Sequence, residues 1–118
     1  YEPTIFDDVK DNFTIMREEP FGPLVPILTF KTFDEVIERA NDNDLGLCSY
    51  LYTNSMDKAH IGSEKLESGC VAVNTGVVAL AEAPFGGIKQ TGYGREGGSM
   101  AIKDYLNIKY THFGISYE

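Results

Sequence analysis

The sequence has 118 residues, enough for one domain that buries about 65% of its unfolded surface. Apolar residues make up 42% and charged residues 24%, and no apolar run nears the roughly 18 residues of a membrane span, which argues against a disordered tail and a transmembrane segment. A net charge of -8 repels phosphate backbones and anionic lipid surfaces, so neither nucleic acid nor a membrane is expected as a partner.

The acidity is concentrated. Residues 1–44 carry 11 acids and 4 bases, and residues 45–118 carry 7 acids and 6 bases. Six of the twelve glycines fall between Gly86 and Gly98. There is no internal repeat and no linker. The chain opens on Tyr1 with no initiator Met and no signal sequence, so a piece of a larger, cytoplasmic protein is expected.

In chain order, Val25 to Phe30 reads as a short apolar strand. Thr32 and Glu35 then have capping-box spacing, and Phe33, Val36, Ile37 and Ala40 line one helical face. Asn41 to Gly46 ends that helix. Leu47 to Thr53 reads as a second strand. Ser55 is expected to cap a second helix running to Leu66, with Gly69 as its stop. Cys70 to Val73 reads as a buried strand and Pro84 to Gly98 as a glycine-rich loop. A short helix over Ser99 to Leu106 and a last strand over Ile108 to Ile115 complete the chain. Strands alternating with helices at this spacing predict an α/β fold with a mostly parallel sheet of three or four strands.

Several motifs invite chemistry. Gly92-Tyr93-Gly94-Arg95-Glu96-Gly97 matches G-x-G-x-x-G, but loop rather than strand precedes it, and the expected acid would fall near Glu118. A turn-rich loop is the better reading. Cys48 and Cys70 sit in apolar runs with no His beside them and are expected to be core residues. Two cysteines are too few for a disulfide framework. His60 and His112 are far apart and no C-x-x-C is present, so no metal site is expected. The sequon at Asn12 is expected to be unused.

Two segments stand out. In Glu18-Glu19-Pro20-Phe21-Gly22-Pro23, adjacent carboxylates precede an aromatic ring on a backbone restricted by proline. A carboxylate accepts both hydroxyls of a vicinal diol such as ribose, and a ring offers a flat face to a heterocycle. The plainer alternative is a solvated acidic turn with Phe21 as core filler. In Pro84-Phe85-Gly86-Gly87-Ile88-Lys89, paired glycines permit tight turns or close approach of another segment.

Together, EEPFGPLVPILTF and NTGVVALAEAPFGGIKQTGYGREGG resemble the E-E-x-F-G-P and P-F-G-G-x-K-x-S/T-G-x-G-x-E motifs of the aldehyde dehydrogenase superfamily. The resemblance covers essentially the whole chain, and within the superfamily it is strongest to succinate-semialdehyde dehydrogenases. It implies the C-terminal part of a catalytic domain, residues 1–106, followed by an oligomerisation strand and tail, residues 107–118. The reaction it implies is aldehyde oxidation: a Cys thiolate forms a thiohemiacetal, hydride passes to NAD or NADP, and a Glu-activated water hydrolyses the thioester. By the same resemblance Glu19 holds the nicotinamide ribose, Phe21 packs near the nicotinamide, and Phe85 lines the aldehyde pocket. Ala79 stands where semialdehyde-specific members carry a Ser that helps bind the substrate carboxylate, and Pro20 stands where Thr or Ile is common. The family's nucleophilic Cys, general-base Glu and cofactor domain lie upstream of these motifs. The isolated chain is therefore expected to be inactive and to bind no cofactor, with a small aldehyde as substrate and a homo-oligomer as the full-length state. A non-catalytic interaction module, and a dehydrogenase for a different semialdehyde, are the alternatives.

Overall fold

A computed structural model describes residues 1–115; the final positions of the expected tail, Glu118 included, lie outside the described residues. Among the described residues six short strands pair in three two-stranded ribbons. Strand β1 (Thr4–Phe6) runs parallel to β2 (Leu24–Pro26). The strand expected over Val25 to Phe30 is thus shorter and begins one residue earlier. Pro26 has no N–H to donate, so the ladder closes with a single further bond, from the Ile27 amide to the Phe6 carbonyl at 2.8 Å.

Helix α1 (Phe33–Asn41) starts where its cap predicts. Thr32 Oγ1 accepts the Glu35 amide at 3.2 Å, and Glu35 Oε2 accepts the Lys31 amide at 2.8 Å. Ile37, on the apolar face, is buried.

The apolar run after α1 serves two ribbons. Strand β3 (Leu45–Gly46) pairs antiparallel with β6 (Ile88–Lys89), which falls inside the segment read as loop. Strand β4 (Cys48–Leu51) pairs parallel with β5 (Cys70–Val73), in the register Cys48–Cys70 to Leu51–Val73. Helix α2 (Met56–Lys65) makes the crossover between them, capped by Ser55 Oγ, which accepts the Lys58 amide. At Gly62 the helix packs so closely that a methyl group would meet Leu51 Cδ2 at 2.6 Å and Phe33 Cζ at 3.3 Å. The helix expected over Ser99 to Leu106 is a short 3₁₀ helix over Ala101–Tyr105.

Two expectations are corrected. Residues 108 to 115 join no strand among the described residues, and Ile108, Tyr110, Phe113 and Ile115 stand exposed. A strand needs a partner ladder, and these residues meet none among the described residues. The cysteines are half-buried rather than core. Among the described residues the buried apolar side chains are Val9, Ile37 and Ala72 alone. The radius of gyration is 20.3 Å, against about 13–14 Å for a compact domain of this length. Among the described residues no helix is long and apolar enough to cross a membrane.

Candidate functional site

The acidic segment is held by its neighbours and leaves its carboxylates outward. The Glu18 amide donates to the Thr14 carbonyl at 2.8 Å. Arg17 pairs with Asp42 at 3.0 Å and donates to the Asp42 carbonyl at 3.2 Å, which ties the segment to the end of α1. The hydrogen bond and then the charge of Asp42 raise the Arg17 pKa further above its ordinary value. Glu19 is exposed, and among the described residues no cation pairs with it. Phe21 is 91% exposed at a φ of 35°, a left-handed conformation unusual for an aromatic residue. It is therefore not core filler. Pro20 and Pro23 bracket that turn, and Pro23 still contributes its carbonyl to the Thr4 amide at 2.9 Å.

The glycine-rich segment is built by backbone contact. A methyl at Gly69 would fall on the Gly86 carbonyl oxygen and lie 2.9 Å from Gly87 Cα, so the loop lies directly on the chain entering β5. Phe85 and Glu96 exchange both backbone hydrogen bonds at 2.7 Å. Arg95 Nη1 donates to the Gly87 and Gly94 carbonyls, at 2.9 and 2.6 Å, and the Arg95 amide donates to Asp104 Oδ2 at 2.8 Å. Gly92, Gly94 and Gly97 all take positive φ, and the segment leads into the short 3₁₀ helix. The G-x-G-x-x-G match is thus a chain of turns rather than a strand–turn–helix.

Two clefts flank this junction. One, of about 700 Å³, is lined by Phe85, Gly86, Gly87, Arg95 and Tyr105 among others. The other, of about 560 Å³, is lined by Glu18, Glu19, Pro20, Cys48 and Ser68 among others. Leu47 and Thr91 line both. Glu19 and Phe85 are therefore brought to adjoining clefts. Phe21 and Ala79 line neither and are exposed.

Cys48 lines the Glu19 cleft, but its chemistry is that of a thiol. Burial, with the neighbouring Cys70 charge and hydrogen bond, raises its pKa above the ordinary 9.0. The Cys70 Sγ–H points at the Gly86 carbonyl at 3.8 Å. No cation figures among the causes of the Cys48 shift, so nothing there lowers the pKa toward a thiolate.

Three contributors escape a reading of the sequence. Thr91 Oγ1 accepts the Gly46 amide at 2.8 Å and so joins the loop to β3. Asn74, at a φ of 57°, exchanges two 2.9 Å side-chain hydrogen bonds with the Thr53 backbone. It closes the carboxyl ends of β4 and β5 and aims the loop that carries Ala79. An Asn directly after the Cys70–Val73 run was the available signal, because Asn tolerates this conformation. Lys89 joins the end of α1 to Glu67 in the turn after α2, and its place in P-F-G-G-x-K was the signal there.

Residues 1–111 match the model of the aldehyde dehydrogenase family. Over 114 residues, 97% of the chain, it is 46% identical to the mitochondrial succinate-semialdehyde dehydrogenase of Arabidopsis thaliana. It is also 46% identical, over 114 residues and 97% of the chain, to a glutarate-semialdehyde dehydrogenase of Pseudomonas aeruginosa. The chain spans 22% and 24% of the lengths of these two curated relatives. The solved structure of an indole-3-acetaldehyde dehydrogenase mutant of P. syringae, in complex with NAD+, superposes with a TM-score of 0.90 at 43% identity. That match covers 93% of the chain and 22% of the solved one.

Proposed function

The chain belongs to the aldehyde dehydrogenase family, and from that premise we propose that it forms the C-terminal part of an NAD(P)-dependent enzyme that oxidises succinate semialdehyde to succinate. The observation that carries the reading is the pairing of an outward Glu19 carboxylate with Phe85 in adjoining clefts. The residues suit a nicotinamide nucleotide. Glu19 has open lone pairs for both hydroxyls of a ribose, and the exposed Phe21 ring offers an apolar face to the nicotinamide. When bound, that nucleotide would supply the hydride acceptor. Glu19 would hold the ribose, Phe21 would flank the ring and Phe85 would wall the aldehyde pocket, while Ala79 is assigned to that pocket by the family resemblance alone.

The reacting thiolate and the general base belong to residues outside this chain. Burial and the neighbouring Cys70 raise the Cys48 pKa, the opposite of the lowering that suits a thiolate nucleophile. The isolated 118 residues should reduce no NAD(P)+ with any aldehyde. Residues 107–118 supply an interface between copies in the full-length homo-oligomer.

In the full-length enzyme, succinate semialdehyde should give the highest kcat/KM in a panel with glutarate semialdehyde and a neutral aldehyde of equal length. Equal turnover of the neutral aldehyde would sink the proposed preference for a carboxylate. Glu19→Gln weakens charge-assisted hydrogen bonds, so kcat over KM for the nucleotide should fall about 10- to 100-fold. Wild-type kinetics in that variant would remove Glu19 from the site. A longer semialdehyde is the second reading, favoured by Ala79 lacking the hydroxyl and by the equal identity to the glutarate-semialdehyde enzyme. The same panel decides it.

A further inference from the structure

We infer that Lys89 is a positioning residue for the aldehyde pocket, its ammonium fastening the Phe85 loop to the carboxyl end of α1 and to Glu67 in the turn after α2. Lys89 Nζ donates to the Asn41 carbonyl at 2.8 Å and the Asn43 carbonyl at 3.0 Å, and pairs with Glu67 Oε2 at 2.6 Å. Three N–H donors thus meet three acceptors, and the side chain is only 24% exposed. Asn41 and Asn43 lie where the last carbonyls of α1 run out of helical partners, and a cation there is also favoured by the helix dipole.

The same knot takes in α2. Asn41 Nδ2 donates to the Lys65 carbonyl at 2.8 Å, and Asn41 Oδ1 accepts the Glu67 amide at 2.9 Å. Glu67, held there, presents its carboxylate to Lys89. One ammonium therefore joins the end of α1, Glu67 in the turn after α2, and strand β6.

Lys89 is also one of the few residues other than glycine with positive φ, at 56°. Such a backbone is kept only where surrounding contacts over-determine it. Those contacts are the ammonium, the β3 pairing, and the Gln90 amide on the Asp44 carbonyl at 2.9 Å. Between Lys89 and Phe85 the chain has little freedom, because Gly86 and Gly87 are pressed on Gly69 and Thr91. A shift at Lys89 is therefore carried to the Phe85 ring rather than absorbed. Arginine is a poor substitute, since a planar fork does not reproduce three acceptors around one nitrogen.

This inference rests on the proposed dehydrogenase reading, and the full-length enzyme tests both separately. Failure of the wild type to oxidise any aldehyde with NAD(P)+ would overturn that reading. Lys89→Asn removes the ammonium while keeping a residue that tolerates positive φ. Its KM for the aldehyde should rise about tenfold, while kcat and the nucleotide KM stay within about twofold. Lys89→Arg should resemble it. Glu67→Gln, which leaves the two carbonyl contacts in place, should raise the aldehyde KM by about two- to threefold. An unchanged aldehyde KM in folded Lys89→Asn overturns the inference. So does a parallel loss in both KM values, which would mark general destabilisation. Should Lys89→Asn not fold, an unchanged aldehyde KM in Glu67→Gln is the overturning result.

Discussion

The Glu35 carboxylate shows how one side chain couples local geometry to pH. The Lys31 amide that it accepts lowers its pKa below the ordinary 4.5; burial opposes this, and the Thr32 amide and Arg39 add to the lowering. Near the ordinary value the folded chain then binds fewer protons than the unfolded one. The stabilisation is present above pH 4.5 and is lost as pH falls through the lower folded value. Glu35→Gln should therefore be less stable than wild type near neutrality, with the gap closing on acidification, as followed by thermal melts at stepped pH. A gap constant down to strongly acid pH would contradict the assigned hydrogen bonds. Residues such as Glu35 were readable from the sequence because a capping box is local. Lys89 was not, since its three acceptors lie more than 20 residues away in the chain.

At the scale of elements, the β4–α2–β5 unit and the glycine-rich segment are one assembly. The close approach at Gly69 lets the loop rest on the start of β5, and the Gly69 amide also reaches the Gly46 carbonyl at 3.0 Å. A side chain at Gly69 must push the two backbones apart. In the full-length protein, Gly69→Ala should cost roughly 1–3 kcal/mol, read as a lower Tm by calorimetry. Gly76→Ala is the control: a methyl there meets only Tyr52 Oη, at 3.9 Å, so Tm should hold. Equal melting of the two variants would show that the loop does not bear on β5. The strand β6 inside this segment carries no sequence signal of its own. Ile88 and Lys89 are a strand only because Leu45 and Gly46 lie opposite.

At the scale of the molecule, the chain extends to 82 Å by 37 Å by 26 Å and encloses little core. Ribbon edges and the side chains of Ile108, Tyr110, Phe113 and Ile115 face solvent. Open edges and exposed apolar side chains favour pairing with another copy. The isolated 118 residues should elute above monomer size on size-exclusion chromatography at high concentration, and removal of residues 107–118 should reduce that association. A clean monomer across the concentration range would count against an interface in this segment.

Caps and helix faces follow from the sequence alone, because each rests on contacts within a few residues, and the Cys70–Val73 strand is legible from its unbroken apolar run. So do the two spaced motifs that carry the family resemblance, since identity at fixed spacing needs no coordinates. Three things were decided only in three dimensions. The Leu45–Leu51 run divides between two ribbons, the Glu19 and Phe85 clefts meet at Leu47 and Thr91, and Lys89 joins the end of α1 to Glu67 beyond α2. Residues 108–115 show the same limit in reverse. Their composition suits a strand, but a ladder exists only when a second backbone supplies the other half of each hydrogen bond.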